Sequence, residues 1–261
     1  MSDTQPVHSD AARSLYLAEY GSEGPTLLLL HGMGATGAVW DRLRSELEPG
    51  RFGRVLVPDL GGHGRSPRSR DYSFRSLAAQ VGVTVGGTAA RRVTILGHSL
   101  GGAVALELAS GRYGFEPEAV HVLGMKVDWS ESELATMGAL ASRPPRRFPN
   151  RKEAAIWFLK LAGLHGLLNP EENPRLVDSG VVVDGDSWRL AQDPRTLAVG
   201  APAVSQMMAA AVCPVVFSRG EFDEMVSTAS LEALGDTRVI SGVGHNAMVE
   251  DPAEVAALVG G

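Results

Sequence analysis

The run Thr26-Leu27-Leu28-Leu29-Leu30 has no alternating polar position. That is the mark of a strand buried on both faces of a parallel sheet. His31-Gly32-Met33-Gly34 breaks it, and Gly37 to Leu47 then has helical spacing through Val39, Trp40, Leu43 and Leu47. The same order of strand, break and helix returns along the chain. Val55–Val57 predicts a second strand, ended by Pro58-Asp59. Ser73 to about Val85 predicts a helix with Ser73 as its cap. Val93–Leu96 predicts a buried strand that enters a forced turn at Gly97-His98-Ser99, with a helix from Ser99 to about Gly111 and a further strand at Ala119–Leu123. Strands alternating with helices at this rhythm build βαβ units, a parallel sheet and helices on both faces.

Outside this rhythm, residues 1 to about 12 read as a loose tail or frayed edge strand, and Ser14–Tyr20 as an outer strand. The rhythm lapses after Asp128. From Trp129 to about Val212 the pattern is mostly helical, clearest over Ala154–Leu164, with Val181–Val183 the one candidate strand. Sheet strands resume at Pro214–Ser218 and Thr237–Ile240, and a closing helix starts near Pro252. The expected architecture is α/β, a core of residues 1–128 and 213–261 interrupted by a helical insertion over 129–212. A chain of 261 residues with 44% hydrophobic and 21% charged positions can bury such a core.

Net charge of −6 with no basic stripe argues against nucleic acid as a partner. The basic run from Arg143 to Lys152 is broken by prolines and reads as a solvated loop. The single cysteine, Cys213, excludes an internal disulfide and any cysteine-rich metal site, and its place beside Pro214 reads as a buried structural thiol. The polar start, Met1–Asp10, lacks the order of a signal peptide, and no apolar run approaches about 18 residues. The expectation is a cytoplasmic protein without a membrane partner.

Chemistry enters at Gly97-x-Ser99-x-Gly101. A serine between two glycines on a strand-to-helix turn is thrown into an exposed, strained position that bulkier neighbours would block. The hydroxyl is a weak nucleophile and needs a base, which in turn needs an anion to hold its tautomer. Asp223 follows a later strand and His245 the last one, so both would gather with Ser99 at the carboxyl ends of parallel strands. Asp128, after the preceding strand, is the alternative acid. The backbone N–H groups of Met33 and Leu100 are the candidate oxyanion donors. His31 and His63 read as structural, and His98 as a packing residue pointing away from the site. A rival reading takes Gly32-x-Gly34-x-x-Gly37 as a dinucleotide fingerprint with Asp59, about 22 residues on, as the ribose ligand. It leaves Ser99, Asp223 and His245 without a role.

Five segments in this order, His31-Gly32-Met33-Gly34, Asp59 to Ser66, Gly97 to Gly102, Arg219 to Asp223 and Gly244-His245, resemble the α/β-hydrolase superfamily of serine hydrolases. The resemblance implies a mostly parallel eight-stranded sheet, a helical cap at about Trp129–Val212, and no cofactor or metal. It implies a serine hydrolase acting on a small carboxylic ester or related acyl substrate with an apolar group. Thioesters, lactones and C–C bonds stand as alternatives, as does a slow-turnover receptor on the same fold. A serine nucleophile excludes the aspartate-dependent branches, the dehalogenases and epoxide hydrolases. His98 and Asn246 stand where the C–C hydrolases usually carry asparagine and tryptophan. Trp129, Trp157, Trp188 and Met207 are the candidate pocket residues, since a cap usually roofs an apolar pocket.

Overall fold

A computed structural model describes residues 14–260, so the expected N-terminal tail lies outside the described residues. The chain begins with β1 (Leu17–Gly21) and β2 (Thr26–Leu30). A 3₁₀ turn at Gly37–Trp40 runs into the short α1 (Asp41–Glu46), followed by β3 (Arg54–Pro58) and α2 (Phe74–Gly86). Then come β4 (Arg92–His98), α3 (Leu100–Leu108) and β5 (Glu116–Leu123). Ser73 caps α2, its side chain accepting the Ser76 N–H. The long middle segment carries α4 (Glu131–Ala141), α5 (Arg151–Leu161), α6 (Pro174–Gly180), β6 (Val181–Asp184), β7 (Ser187–Leu190) and α7 (Val204–Ala210). The chain closes with β8 (Val215–Gly220), α8 (Thr228–Glu232), β9 (Thr237–Ile240), α9 (Ala247–Glu250) and α10 (Pro252–Gly260).

Seven strands form the main sheet among the described residues, in the order β1-β3-β2-β4-β5-β8-β9, where the resemblance implies eight. β1 runs antiparallel to β3 and every other pair is parallel. The period-2 geometry of a strand sends neighbouring residues to opposite faces, and β2 divides accordingly. Leu28 and Leu30 join the core shared with α2 and α3, while Leu27 and Leu29 join the core under α1 and α10. This is why the β2 sequence shows no polar alternation. The middle segment feeds both cores: Ala154, Phe158 and Leu159 of α5 pack on the α1 side, and Val204 and Met207 of α7 on the α3 side. It also contains a two-stranded hairpin, β6 with β7, which the mostly helical expectation missed except at Val181–Val183. The hairpin is short and half-exposed, so it offers no long apolar run to read.

β2 and β4 are adjacent, yet the chain leaves β2 toward the α1 face and β4 toward α3 on the other. Their two loops therefore open a crevice at the switch point of the sheet, the place where open α/β sheets bind ligands. The turn after β4 is built by exclusion. A Cβ on Gly97 would overlap the carbonyl of Gly101, and one on Gly101 would overlap the carbonyls of Leu30 and His31. The Ser99 N–H donates to Leu123 O at 2.8 Å, which ties the turn to β5. Among the described residues, no helix is long and apolar enough to cross a membrane.

Burial disfavours the charged form of several histidines in the fold. Burial lowers the pKa of His31 to about 4, of His63 to about 3 and of His121, on β5, to about 4. Unfolding restores a pKa near 6.5, so below that pH the unfolded chain binds more protons than the folded one and stability falls as acid is added. The stability is intact above pH 6.5 and is lost as the pH drops toward 4. His121 Nδ1 is buried without a partner. His121→Leu should therefore lose about 2–3 kcal/mol less stability than the parent between about pH 7 and pH 4.5, read by urea denaturation at each pH. Gly101→Ala should cost about 3 kcal/mol or prevent folding, because the carbonyls it meets are backbone at the end of β2 and just beyond it, which a side-chain rotation cannot move. The same denaturation experiment reads it.

Candidate active site

Ser99 sits at φ 51° and ψ −113°, and among the described residues it is the one non-glycine with positive φ. Such a conformation costs of order 1–3 kcal/mol and persists only where the surroundings over-determine it. Here β4 ends at His98, α3 begins at Leu100, and the serine between them has no freedom to relax. Its carbonyl is already committed to the helix, accepting from Gly102 and Ala103. The N–H of Leu100, in the first turn of α3, has no protein acceptor among the described residues, as the first amides of a helix require. The N–H of Met33, in the loop after β2, likewise donates to no described residue. That loop lies against the serine, since a Cβ on Gly32 would stand 3.3 Å from Ser99 Cβ and 2.7 Å from His98 Nδ1.

The loop is held by its histidines, as the sequence reading expected. His31 Nδ1–H donates to Gly32 O at 2.9 Å, and its Nε2 accepts the Leu60 N–H at 2.8 Å. That pair of bonds fixes the neutral tautomer, and burial lowers its pKa in the same sense. His63 packs edge-on against it with ring centroids 5.2 Å apart. Asp59, the ribose ligand of the rival reading, is buried and spent within the protein. Its two carboxylate oxygens accept the N–H groups of Gly37 at 2.7 Å and Arg65 at 2.9 Å. The helix that fingerprint requires is also absent at its place, where a 3₁₀ turn precedes the short α1.

Asp223 follows β8 and His245 follows β9, and the structure brings their side chains together. His245 Nδ1 lies 2.9 Å from Asp223 Oδ2, with the carboxylate almost fully buried. Nδ1–H donates in this pair, which leaves Nε2 with its lone pair available. The other carboxylate oxygen accepts the Met225 N–H at 3.0 Å, and Arg219 grips the backbone of the loop through the carbonyls of Asp223 at 2.7 Å and Glu221 at 3.0 Å. Gly124, after β5, lies beside the pair, its ideal Cβ position 3.4 Å from both Asp223 Oδ2 and His245 Nδ1. Asp128 lines a cleft with Asp223 but turns elsewhere, its Oδ2 accepting from Ser230 Oγ at 2.5 Å. Of the two carboxylates weighed as acid, only Asp223 meets the histidine.

His98 differs from its expected role. It is buried, but it points to the site: its Nε2–H donates to the backbone carbonyl of His245 at 2.9 Å, and the two rings lie 4.7 Å apart. Only the folded sheet could reveal this, because His98 and His245 are separated by 147 residues. Gln192 was also missed. Its buried amide donates to Thr196 Oγ1 at 2.8 Å and lies 3.2 Å from Met33 Sδ, joining the middle segment to the β2 loop. Asp193 adds to that junction, donating its N–H to Gly62 O at 2.7 Å and accepting from the Tyr72 hydroxyl at 2.9 Å.

The four candidate pocket residues have different surroundings. Met207 is buried in the core that contains Leu100 and against which Met33 packs. Trp129 is half-buried, with its indole N–H donating to Lys126 O at 3.2 Å. Trp188 packs on the opposite core, and Trp157 is partly exposed with the Arg146 guanidinium 4.2 Å above its ring. Arg146 comes from the basic run, whose Arg147 pairs with Asp184 at 2.9 Å. Cys213 is half-buried, and desolvation pushes its thiol pKa up.

Relatives bear on this geometry. An uncharacterized protein of Mycobacterium tuberculosis is 42% identical over 87 residues, 33% of this chain and 25% of its own length. Protein phosphatase methylesterase 1 of Bos taurus is 27% identical over 172 residues, 64% of this chain and 45% of that protein. The chain thus spans less than half the length of these curated relatives. The solved thioesterase domain from the curacin biosynthetic pathway superposes with a TM-score of 0.75 at 23% identity, over 93% of this chain and 94% of that one, a likeness of fold. The description of the alpha/beta hydrolase family matches residues 27–258, which is most of the chain, and this protein belongs to that family.

Proposed function

We propose that this hydrolase cleaves a carboxylic ester through an acyl-enzyme on Ser99. The observation that carries the reading is the strained serine, followed by the Leu100 amide and packed against the Met33 loop. Both amides are without acceptors among the described residues, and the loop of a histidine–aspartate pair is bonded to the residue before the serine. Strain is retained where function needs it, and here it lifts the hydroxyl out of the turn. Ser99 Oγ attacks the ester carbonyl while His245 Nε2 takes its proton. Asp223 accepts the Nδ1–H bond and stabilises the imidazolium as it forms. The carbonyl oxygen, now an oxyanion, accepts the N–H groups of Met33 and Leu100, each worth about 2.7–4 kcal/mol in the transition state. His245 then returns the proton to the departing alcohol. Water, activated by the same histidine, releases the acid and restores the serine.

In this reading residues 129–212 act as a cap on the core formed by 1–128 and 213–261. Support comes from the bonds that Gln192 and Asp193 make with the β2 and Asp59 loops and from the packing of α7 on the α3 side of the core. The cap supplies an apolar roof, with Met207 the candidate nearest in packing to the oxyanion loop and Trp129 at its edge. The ester assignment draws support from the methylesterase relative. Acyl chains of graded length, run beside thioesters and lactones, distinguish the bond types.

The triad is tested with p-nitrophenyl short-chain esters and a fluorophosphonate label. The parent should show a burst and label once. Ser99→Ala should remove both, and Asp223→Asn should lower kcat by about 10⁴-fold through loss of the productive tautomer. Asp128→Asn should stay within about twofold of the parent, because its carboxylate serves Ser230. A parent without burst or label overturns the hydrolytic mechanism in favour of a receptor on the same fold. Full turnover by Asp223→Asn overturns the assignment of the acid.

A further inference from the structure

The imidazole of His245 is aimed by a backbone that is gripped from two sides. Glu250, on α9, sends its carboxylate back over the loop. Oε2 accepts the N–H of Gly244 at 2.8 Å and Oε1 accepts the N–H of Asn246 at 3.1 Å. These are the backbone amides on either side of His245. The carbonyl of His245 between them accepts Nε2–H of His98 at 2.9 Å. Three polar groups of the backbone around the candidate base are therefore held by side chains from two separate elements. His98 is the residue before Ser99, so its bond also joins the end of the nucleophile strand directly to the loop of the base.

We propose that Glu250 is a positioning residue for His245, fixing the orientation of its peptide through the two flanking amides while His98 holds the carbonyl. The inference rests on the serine–histidine–aspartate reading above. Helix capping alone does not account for the arrangement. Asn246 is the N-cap of α9, so its N–H is a normal target for a glutamate one turn on. Gly244 lies two residues before that cap, and its N–H belongs to no helix. An ionised carboxylate makes bonds roughly twice as strong as a neutral acceptor, and its two oxygens match two diverging amides. On the far side of the loop, Asn246 Nδ2 donates to Gly163 O at 3.0 Å, so the peptide cannot swing outward without breaking that contact as well.

Glu250 is exposed, so its variants retain the core. The test compares Glu250→Ala and Glu250→Gln with the parent. The readouts are kcat and KM on a p-nitrophenyl ester, the rate of fluorophosphonate labelling, thermal unfolding, and the low-field proton resonance of the His245–Asp223 hydrogen bond. The expected result for Glu250→Ala is a fall in kcat and labelling rate of about 10- to 100-fold with KM within about twofold, the size of a small misalignment of reacting groups. The low-field resonance should broaden or vanish. Glu250→Gln, which keeps one of the two acceptors, should fall between. A lowered unfolding temperature with kcat, labelling and the resonance unchanged would reduce Glu250 to a helix cap and overturn the proposal. A rise in KM alone would do the same. His245→Ala run in parallel separates the two levels: full turnover without His245 sinks the triad itself, whatever Glu250 does.

Discussion

A single backbone outlier sets the terms for the rest of the molecule. Ser99 at φ 51° has to be forced there, and the force is steric. Gly97, Gly101 and Gly32 pack so closely against the turn and the β2 loop that none could carry a side chain without a clash. The serine amide is spent on β5 and its carbonyl on α3, so the turn cannot relax by rotating a peptide. The order of strands follows from the same requirement. β4 must lie between β2 and β5 for the loop after β2 and the tether at Leu123 to reach the serine from opposite sides.

Polar groups near the crevice are almost all committed to backbone. His31 bridges two loops in its neutral form, Asp59 closes the Gly37 and Arg65 amides, and Arg219 holds the Asp223 loop by its carbonyls. Buried ionisable groups are costly unless paired, and here they are used as braces for irregular chain. The consequence is a site whose working groups are few and whose supporting groups are many. His98 and Glu250 belong to the second kind, as does the Gln192–Asp193 junction with the middle segment.

The middle segment shows how function and architecture separate. Its α5 and α6 pack with α1 on one core, while α7 packs with α3 on the other. It therefore straddles the sheet end that carries the crevice. Its apolar residues serve two purposes that sequence does not distinguish, since packing and pocket lining both call for Trp and Met. Trp157 shows the point, with its ring covered by Arg146 of the basic run.

Much of the fold was legible because its signals are local. Thr26–Leu30 and Thr237–Ile240 fall on β2 and β9 residue for residue, and Ser73 caps α2, since burial on both faces and a capping hydroxyl are properties of a few neighbouring residues. The glycine pattern around Ser99 was equally readable, because steric exclusion leaves glycine as the only choice at such a turn. Val181–Val183 fell on β6, but its partner β7, α8 and α9 were not read, being too short for periodicity to accumulate. The choice between Asp128 and Asp223 as partner of His245 could not be made from spacing, as both follow strands of the same sheet. Only the packed loops, with Ser230 taking one carboxylate and His245 the other, decided it. His98 and Glu250 were invisible for the same reason: a hydrogen bond across 147 residues, or back over a bent loop, has no period and exists only once the sheet has brought the end of β4 and the loop after β9 to the same edge.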